Sequence, residues 1–128
     1  MTHFRTLKEI CVELKISRRT VQWYENKGLI KPTSKNKYGY LLYDDEVIAK
    51  IALIRFGQNI GLGINEISDF IDGSVDEIKE QFTKQITVLA KEKAVLDMQI
   101  KNIEKLSECD SKSQFMEEVY LIVKGEDK

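Results

Sequence analysis

Ser17-Arg18-Arg19-Thr20-Val21-Gln22-Trp23-Tyr24-Glu25 begins with a hydroxyl residue suited to capping a helix and sets Val21 and Tyr24 three apart, with Leu29 extending the same inward face. Arg18, Arg19 and Gln22 then point elsewhere. Just upstream, Leu7, Ile10, Cys11 and Leu14 recur at three- and four-residue spacing, which predicts a short helix ending near Lys15. Two short helices with a tight turn between them form a helix-turn-helix. Its second helix lies in the major groove of duplex DNA and offers base edges the side chains of its first turns.

Downstream, Gly28 closes the second helix, Pro32 prevents its resumption, and residues 33–39 read as a small, polar, lysine-rich loop. Tyr38, Tyr40 and Leu42 alternate with Gly39, Leu41 and Tyr43, the pattern of a short hairpin or wing whose loop carries Lys35 and Lys37 toward phosphates. Asp44 is placed to cap a third helix running to about Gln58, with Val47, Ile48, Ile51, Ala52, Ile54 and Phe56 as its apolar surface. Gly61 and Gly63 break that helix, and Ile64, Ile67, Phe70 and Ile71 mark a short fourth one.

From Val75 the period lengthens. Val75, Phe82, Leu89, Leu96 and Ile103 are each seven apart, and Ile78, Ile86, Ile100 and Leu106 widen the stripe into a coiled-coil seam. Residues 75–106 would make a helical rod of about 48 Å. The stripe needs a covering surface, and the apolar segment 114–123 (Phe115, Met116, Val119, Leu121, Ile122) is too short to cover more than about a third of it. An intramolecular hairpin is therefore the weaker reading and a second copy of the chain the stronger. Residues 1–73 are expected to form the head, 75–106 the dimerisation helix, and 107–128 a short terminal segment for an effector or a dimer contact.

Charge divides along the same line. The chain of 128 residues has a net charge of −1, but residues 1–43 carry +6 and the remainder −7. A basic head on an acidic body is the footprint of a polyanion-binding module. No apolar run approaches the length of a membrane span, and Glu9 and Glu13 interrupt any signal-peptide pattern, so a cytoplasmic protein without membrane contact is expected. Cys11 and Cys109 are far apart and lack His or Cys neighbours in sequence, which argues against a disulfide framework or zinc site; no cofactor or metal is expected. His3 is solitary and receives no role. An enzyme is disfavoured, because no carboxylate pair, nucleophile with a partner base, phosphate-binding glycine loop or metal cluster can be pointed to.

The order of elements and the local words together resemble the mercury-resistance-type (MerR) family of bacterial transcription regulators. Residues 17–25 resemble its recognition-helix pattern, Asn26-Lys27-Gly28-Leu29-Ile30-Lys31-Pro32 its helix exit, and Gly39-Tyr40-Leu41-Leu42-Tyr43 its wing word Gly-Tyr-Arg-x-Tyr. Residues 54–71 resemble the helix pair that follows. The resemblance implies a mainly α fold: an N-terminal winged helix-turn-helix with two further short helices, a long antiparallel coiled-coil dimerisation helix, and a short C-terminal helix. It further implies a homodimer on a double-stranded promoter palindrome, distorting an overlong spacer for RNA polymerase in response to an effector. With 22 residues after Leu106, a large drug-binding domain is not expected.

Three departures stand out. Gln22 and Leu41 replace arginines usual in the family, which removes two phosphate contacts the resemblance implies, and Lys15 replaces a frequent glycine, so a positive φ is expected there. Weaker binding, a narrower set of sites, or recovery of the contacts through Lys35, Lys37 and Arg5 all stay open.

Base reading is assigned to Arg18 and Arg19, since arginine pairs bidentately with guanine. Phosphate positioning is assigned to Thr20, Trp23, Tyr24, Lys35, Lys37, Tyr40 and Arg5. One of Trp23 and Tyr24 is expected in the core, Tyr24 with Tyr43 being the favoured choice. Cys109 is a candidate sensor of electrophiles or oxidants, with an inert surface thiol the commoner alternative; a lone cysteine after the rod disfavours soft-metal sensing. The rival function is an excisionase-like architectural DNA-bending factor without an effector, against which the seam argues.

Overall fold

The computed structural model describes residues 4–126, so His3 lies outside the described residues. The elements run β1 (Arg5–Thr6), α1 (Leu7–Leu14), α2 (Arg18–Asn26), β2 (Ser34–Lys35), β3 (Leu41–Tyr43), α3 (Asp45–Asn59), α4 (Ile64–Phe70), α5 (Val75–Ser107) and α6 (Lys112–Glu126). This is the mainly helical winged helix-turn-helix followed by a long helix.

Local chemistry sets the ends of the helices. Thr6 and Glu9 close a capping box at the start of α1, with the Thr6 amide donating to Glu9 Oε1 at 3.0 Å and the Glu9 amide to Thr6 Oγ1 at 3.3 Å. These bonds, the Thr6 amide first, hold the Glu9 carboxyl below its ordinary pKa. Helix α1 stops at Lys15, whose φ of 54° is the expected left-handed turn. Ser17 caps α2 by accepting from the Thr20 amide at 3.1 Å, and Asp44 caps α3 by accepting from Val47 at 3.0 Å. Asp45 and Glu46 add negative charge to the first turn of α3, where the helix dipole favours it.

The three strands form one small antiparallel sheet in the order β1-β3-β2, with Arg5 opposite Tyr43 and Lys35 opposite Leu41. Two details differ from the expectation. Strand β1 is a third member that a two-residue segment gave no periodicity to reveal, and Lys35 lies on β2 instead of in the wing loop.

Ile10, Val21, Tyr24, Tyr43, Ile51 and Ile54 are fully buried, and Ile67, Phe70 and Ile71 close the core from α4 and the residue after it. Each large apolar side chain so buried contributes roughly 1.5–3 kcal/mol. Tyr24 is thereby, with Tyr43, the core member of the aromatic pair as expected, which corrects its further placement among the phosphate contacts. Its hydroxyl donates to Gln58, and that of Tyr43 donates to the Glu25 carboxylate, so both polar ends are bonded where α2, β3 and α3 meet. Burial pushes both tyrosine pKa values up, and the Glu25 carboxylate adds to the effect on Tyr43.

The chain divides into two compact units, the first ending at Gln85 and the second beginning at Ile86. The first therefore includes the opening turns of α5. Ile78 and Phe82 pack on the core, with the Phe82 ring edge-on to Phe70 at 5.9 Å and tilted against Phe56 at 5.5 Å. Phe82 thus spends its ring inside its own chain, a correction to its place in the dimerisation seam. Gln85 is buried, and its Nε2 donates to the carbonyl of Ile60 at 2.7 Å. Gly61 follows with φ +96°, where an added Cβ would lie 2.9 Å from that nitrogen.

In the second unit, α6 turns back on the last turns of α5. Lys105 pairs with Glu118 at 3.1 Å, and Asn102, Leu106, Val119 and Ile122 are half-buried between the helices. The cover is short. Leu89, Leu96 and Ile103 stay 40%, 57% and 64% exposed, and in the first unit Val75 is 64% exposed.

Candidate nucleic-acid interface

The cap at Ser17 fixes which side of α2 faces outward. With Val21 and Tyr24 drawn into the core, Arg18, Arg19, Gln22 and Trp23 occupy the exposed face. Thr20 is half-buried, and its hydroxyl lies 2.7 Å from the Ser17 hydroxyl, so one of its hydrogen-bonding positions already serves the cap. Trp23 keeps 38% of its surface exposed and leans on Tyr24, ring centroids 6.0 Å apart. Of the two adjacent aromatic residues, only Trp23 can meet a ligand.

The wing is held by its own hydrogen bonds. Asn36 Oδ1 accepts from the amides of Tyr38 and Tyr40 at 2.9 and 3.0 Å, and the Asn36 amide donates to the Tyr40 carbonyl at 2.9 Å. Gly39, with φ +88°, supplies the left-handed residue that this tight turn needs. Lys37, Tyr38 and Tyr40 project from the turn, and the Lys37 ammonium sits 5.1 Å from the Tyr38 ring centroid. Such an exposed cation–π contact is worth about 0.5–1 kcal/mol, which leaves Lys37 free to exchange it for a phosphate.

Two shallow depressions adjoin along the outer face of α2. One is lined by Arg19, Thr20, Gln22, Trp23 and Asn26. The other runs between α1, α2 and the wing, with Lys8, Arg18, Gln22, Tyr40 and Leu41 among its walls. Gln22 belongs to both. Arg18, Arg19, Thr20, Trp23 and Tyr40 are thus brought to one continuous basic surface, with Lys35 and Lys37 on the wing beside it.

Arg5 is placed differently. Its guanidinium lies 3.1 Å from Glu13 and 4.0 Å from Asp45, so it ties β1 to α1 and α3 and its charge is compensated within the chain. Lys8 is the basic residue that sequence reasoning passed over. It is exposed in the first turn of α1, a position that the apolar periodicity of that helix does not single out.

Away from this surface, Cys109 is half-buried just past the end of α5, its Sγ 4.0 Å from the Lys105 carbonyl. The Lys105 ammonium is directed to Glu118. Among the described residues no group of three or more His, Cys, Asp or Glu side chains comes together as a metal site, and no helix is long and apolar enough to cross a membrane.

Comparison with known proteins gives this surface a context. Residues 5–74 match the model of the MerR HTH family regulatory protein. The HTH-type transcriptional activator mta of Bacillus subtilis (strain 168) is 28% identical over 99 residues, a match that covers 77% of this chain but only 38% of that protein. An uncharacterized HTH-type transcriptional regulator of Synechocystis sp. (strain ATCC 27184 / PCC 6803 / Kazusa) is 26% identical over 118 residues, covering 88% of this chain and 81% of the relative. Among solved structures, HiNmlR, a MerR family regulator lacking the sensor domain and bound to promoter DNA, superposes with a TM-score of 0.65 at 20% identity, over 80% of this chain and 83% of that one.

Proposed function

The chain belongs to the MerR HTH family of regulatory proteins, and from that premise we propose that this transcriptional regulator works as a homodimer whose two heads grip one promoter palindrome. The observation that carries the reading is the joined surface of α2 and the wing. Arg18 and Arg19 stand exposed on the first turn of a capped helix, beside a hydrogen-bonded wing that presents Lys35, Lys37 and Tyr40. Arginines on that turn suit guanine edges in the major groove, whereas Thr20, Trp23 and the wing residues suit phosphates.

Dimerisation is supported by the exposed stripe of Leu89, Leu96 and Ile103, which α6 leaves open, and by exposed Val75 on the same heptad line. Apolar surface on that scale is unfavourable in water, and a second copy of the same stripe is the cover that heptad spacing suits. A dimer also doubles a contact set in which Gln22 and Leu41 contribute no charge. Bending and untwisting of promoter DNA for RNA polymerase completes the reading; the distortion costs several kcal/mol, which two heads can meet where one would not. The matched relatives are transcriptional regulators, not enzymes.

Selection from a pool of randomised duplexes tests the proposal. The full chain is expected to enrich an inverted repeat, and Arg19→Ala to lose about 1–3 kcal/mol with relaxed preference at one base position in each half-site. Enrichment of a single unrepeated site by a monomeric chain would overturn the dimer and favour the architectural alternative. Uniform weakening at all sequences would move Arg19 from base reading to phosphate contact.

A further inference from the structure

We infer that Lys8 is a phosphate-contacting residue of the DNA interface, supplying from α1 the positive charge that Gln22 and Leu41 leave out of the depression between α1, α2 and the wing. The inference rests on the DNA-binding reading given above.

A duplex lying against both the recognition helix and the wing must pass over the depression that separates them. Its walls include two uncharged side chains, Gln22 and Leu41, and two cations, Arg18 and Lys8. Arg18 is the cation positioned for base edges, so the charge available to the backbone on the far wall is that of Lys8. Arg5, on the strand just before α1, is already compensated by Glu13 and Asp45. Lys8 is exposed, and among the described residues it has no carboxylate within 4.0 Å.

Its setting favours an anion. Lys8 is in the first turn of α1, where the helix end carries partial positive charge. The nearest acid in sequence, Glu9, is turned back: its Oε1 accepts from the Thr6 amide at 3.0 Å and from the Thr6 hydroxyl at 3.1 Å. Capping thus commits the one carboxylate of this turn to Thr6, and among the described residues it forms no ion pair with Lys8. A lysine acts as a flexible point charge and needs no fixed fork geometry to meet a phosphate, so the contact adds affinity without sequence preference.

The test uses the full chain and a mixed-sequence duplex of about 30 base pairs, with affinity measured by fluorescence anisotropy over a salt series. Wild-type binding should weaken steeply with salt. Lys8→Ala should flatten the slope of log affinity against log salt by about 0.9 for each head engaged, equivalent to about eightfold weaker binding per head at 0.1 M salt relative to 1 M. Gln22→Arg, added to Lys8→Ala, should restore the slope, because both side chains line the same depression. Ala94→Arg, an equal charge change on an exposed turn of α5 and off the Leu89–Leu96–Ile103 heptad line, should not. A slope unchanged by Lys8→Ala, in a chain whose wild type binds with clear salt dependence, overturns the role of Lys8 and leaves the DNA-binding reading standing. Equal restoration by Ala94→Arg would also overturn it, since net charge would then suffice. Failure of the wild type to bind the duplex at low salt would remove the reading itself, and the role of Lys8 with it.

Discussion

The unit that ends at Gln85 and the unit that begins at Ile86 are built to different degrees of completion. Among the described residues, every buried apolar side chain lies in the first, from Ile10 to Ile71, while the second leaves Ile86, Leu96, Ile100 and Ile103 each more than half exposed. The head satisfies its apolar surface internally, even spending Phe82 and Gln85 of the long helix to do so. The second unit leaves its apolar surface uncovered within the chain. One chain thus holds a region whose apolar surface is buried beside another whose apolar stripe stays open, and it is on that open stripe that the proposed dimer rests.

The comparison breaks most directly at paired truncations. Ile51→Ala removes a fully buried side chain and should cost about 2–5 kcal/mol in chemical denaturation. Leu96→Ala, at a 57% exposed position, should leave the stability of the dilute single chain almost unchanged while weakening self-association in sedimentation. If Leu96→Ala proved as damaging as Ile51→Ala where only single chains sediment, the second unit would be internally packed after all.

A smaller effect sharpens where the border falls. Gln85 is the buried polar side chain at that border, and its amide satisfies the Ile60 carbonyl at the end of α3. Gln85→Leu should cost about 1 kcal/mol, the loss of the hydrogen bond to a half-buried carbonyl. The same change at exposed Gln99 should be close to neutral in urea titration. Equal effects at the two positions would mean that Gln85 holds nothing to the head.

Legibility in the sequence followed the same division. Local signals with a single meaning were readable: Ser17 and Asp44 cap the helices they precede, and α3 and α4 break apart around Gly61 and Gly63. Signals with two meanings were not. A heptad position such as Phe82 announces an apolar face without saying which surface covers it. Tyr24 and Trp23 are adjacent aromatics: the spacing of Tyr24 from Val21 marks it as the core member, as its burial bears out, and the misreading is the phosphate role also assigned to it. Strand β1 is too short to carry periodicity, and its pairing with β3 is what places Arg5 beside Glu13 and Asp45. Lys8 escaped because an exposed residue on an amphipathic helix has no signature until the wing is folded beside it.

The smallest effect concerns strain. Lys15 is the one non-glycine residue with positive φ among the described residues, and it lies in the turn between α1 and α2, inside the better-packed unit. An L side chain in that conformation costs roughly 1–2 kcal/mol. The cost is borne because both neighbours are fixed: the Lys15 amide and that of Ile16 donate to Cys11, and Ile16 is buried behind the turn. Glycine would relieve the strain but would give the unfolded chain more freedom, a loss of roughly 0.5–1 kcal/mol. Lys15→Gly should therefore raise the stability of the head by about 0.5–1 kcal/mol, read as a higher denaturant midpoint with an unchanged slope. Lys15→Ala, which keeps a Cβ, should give no such gain. A gain from alanine equal to that from glycine would trace the effect to the lysine charge and show that the turn carries no backbone strain.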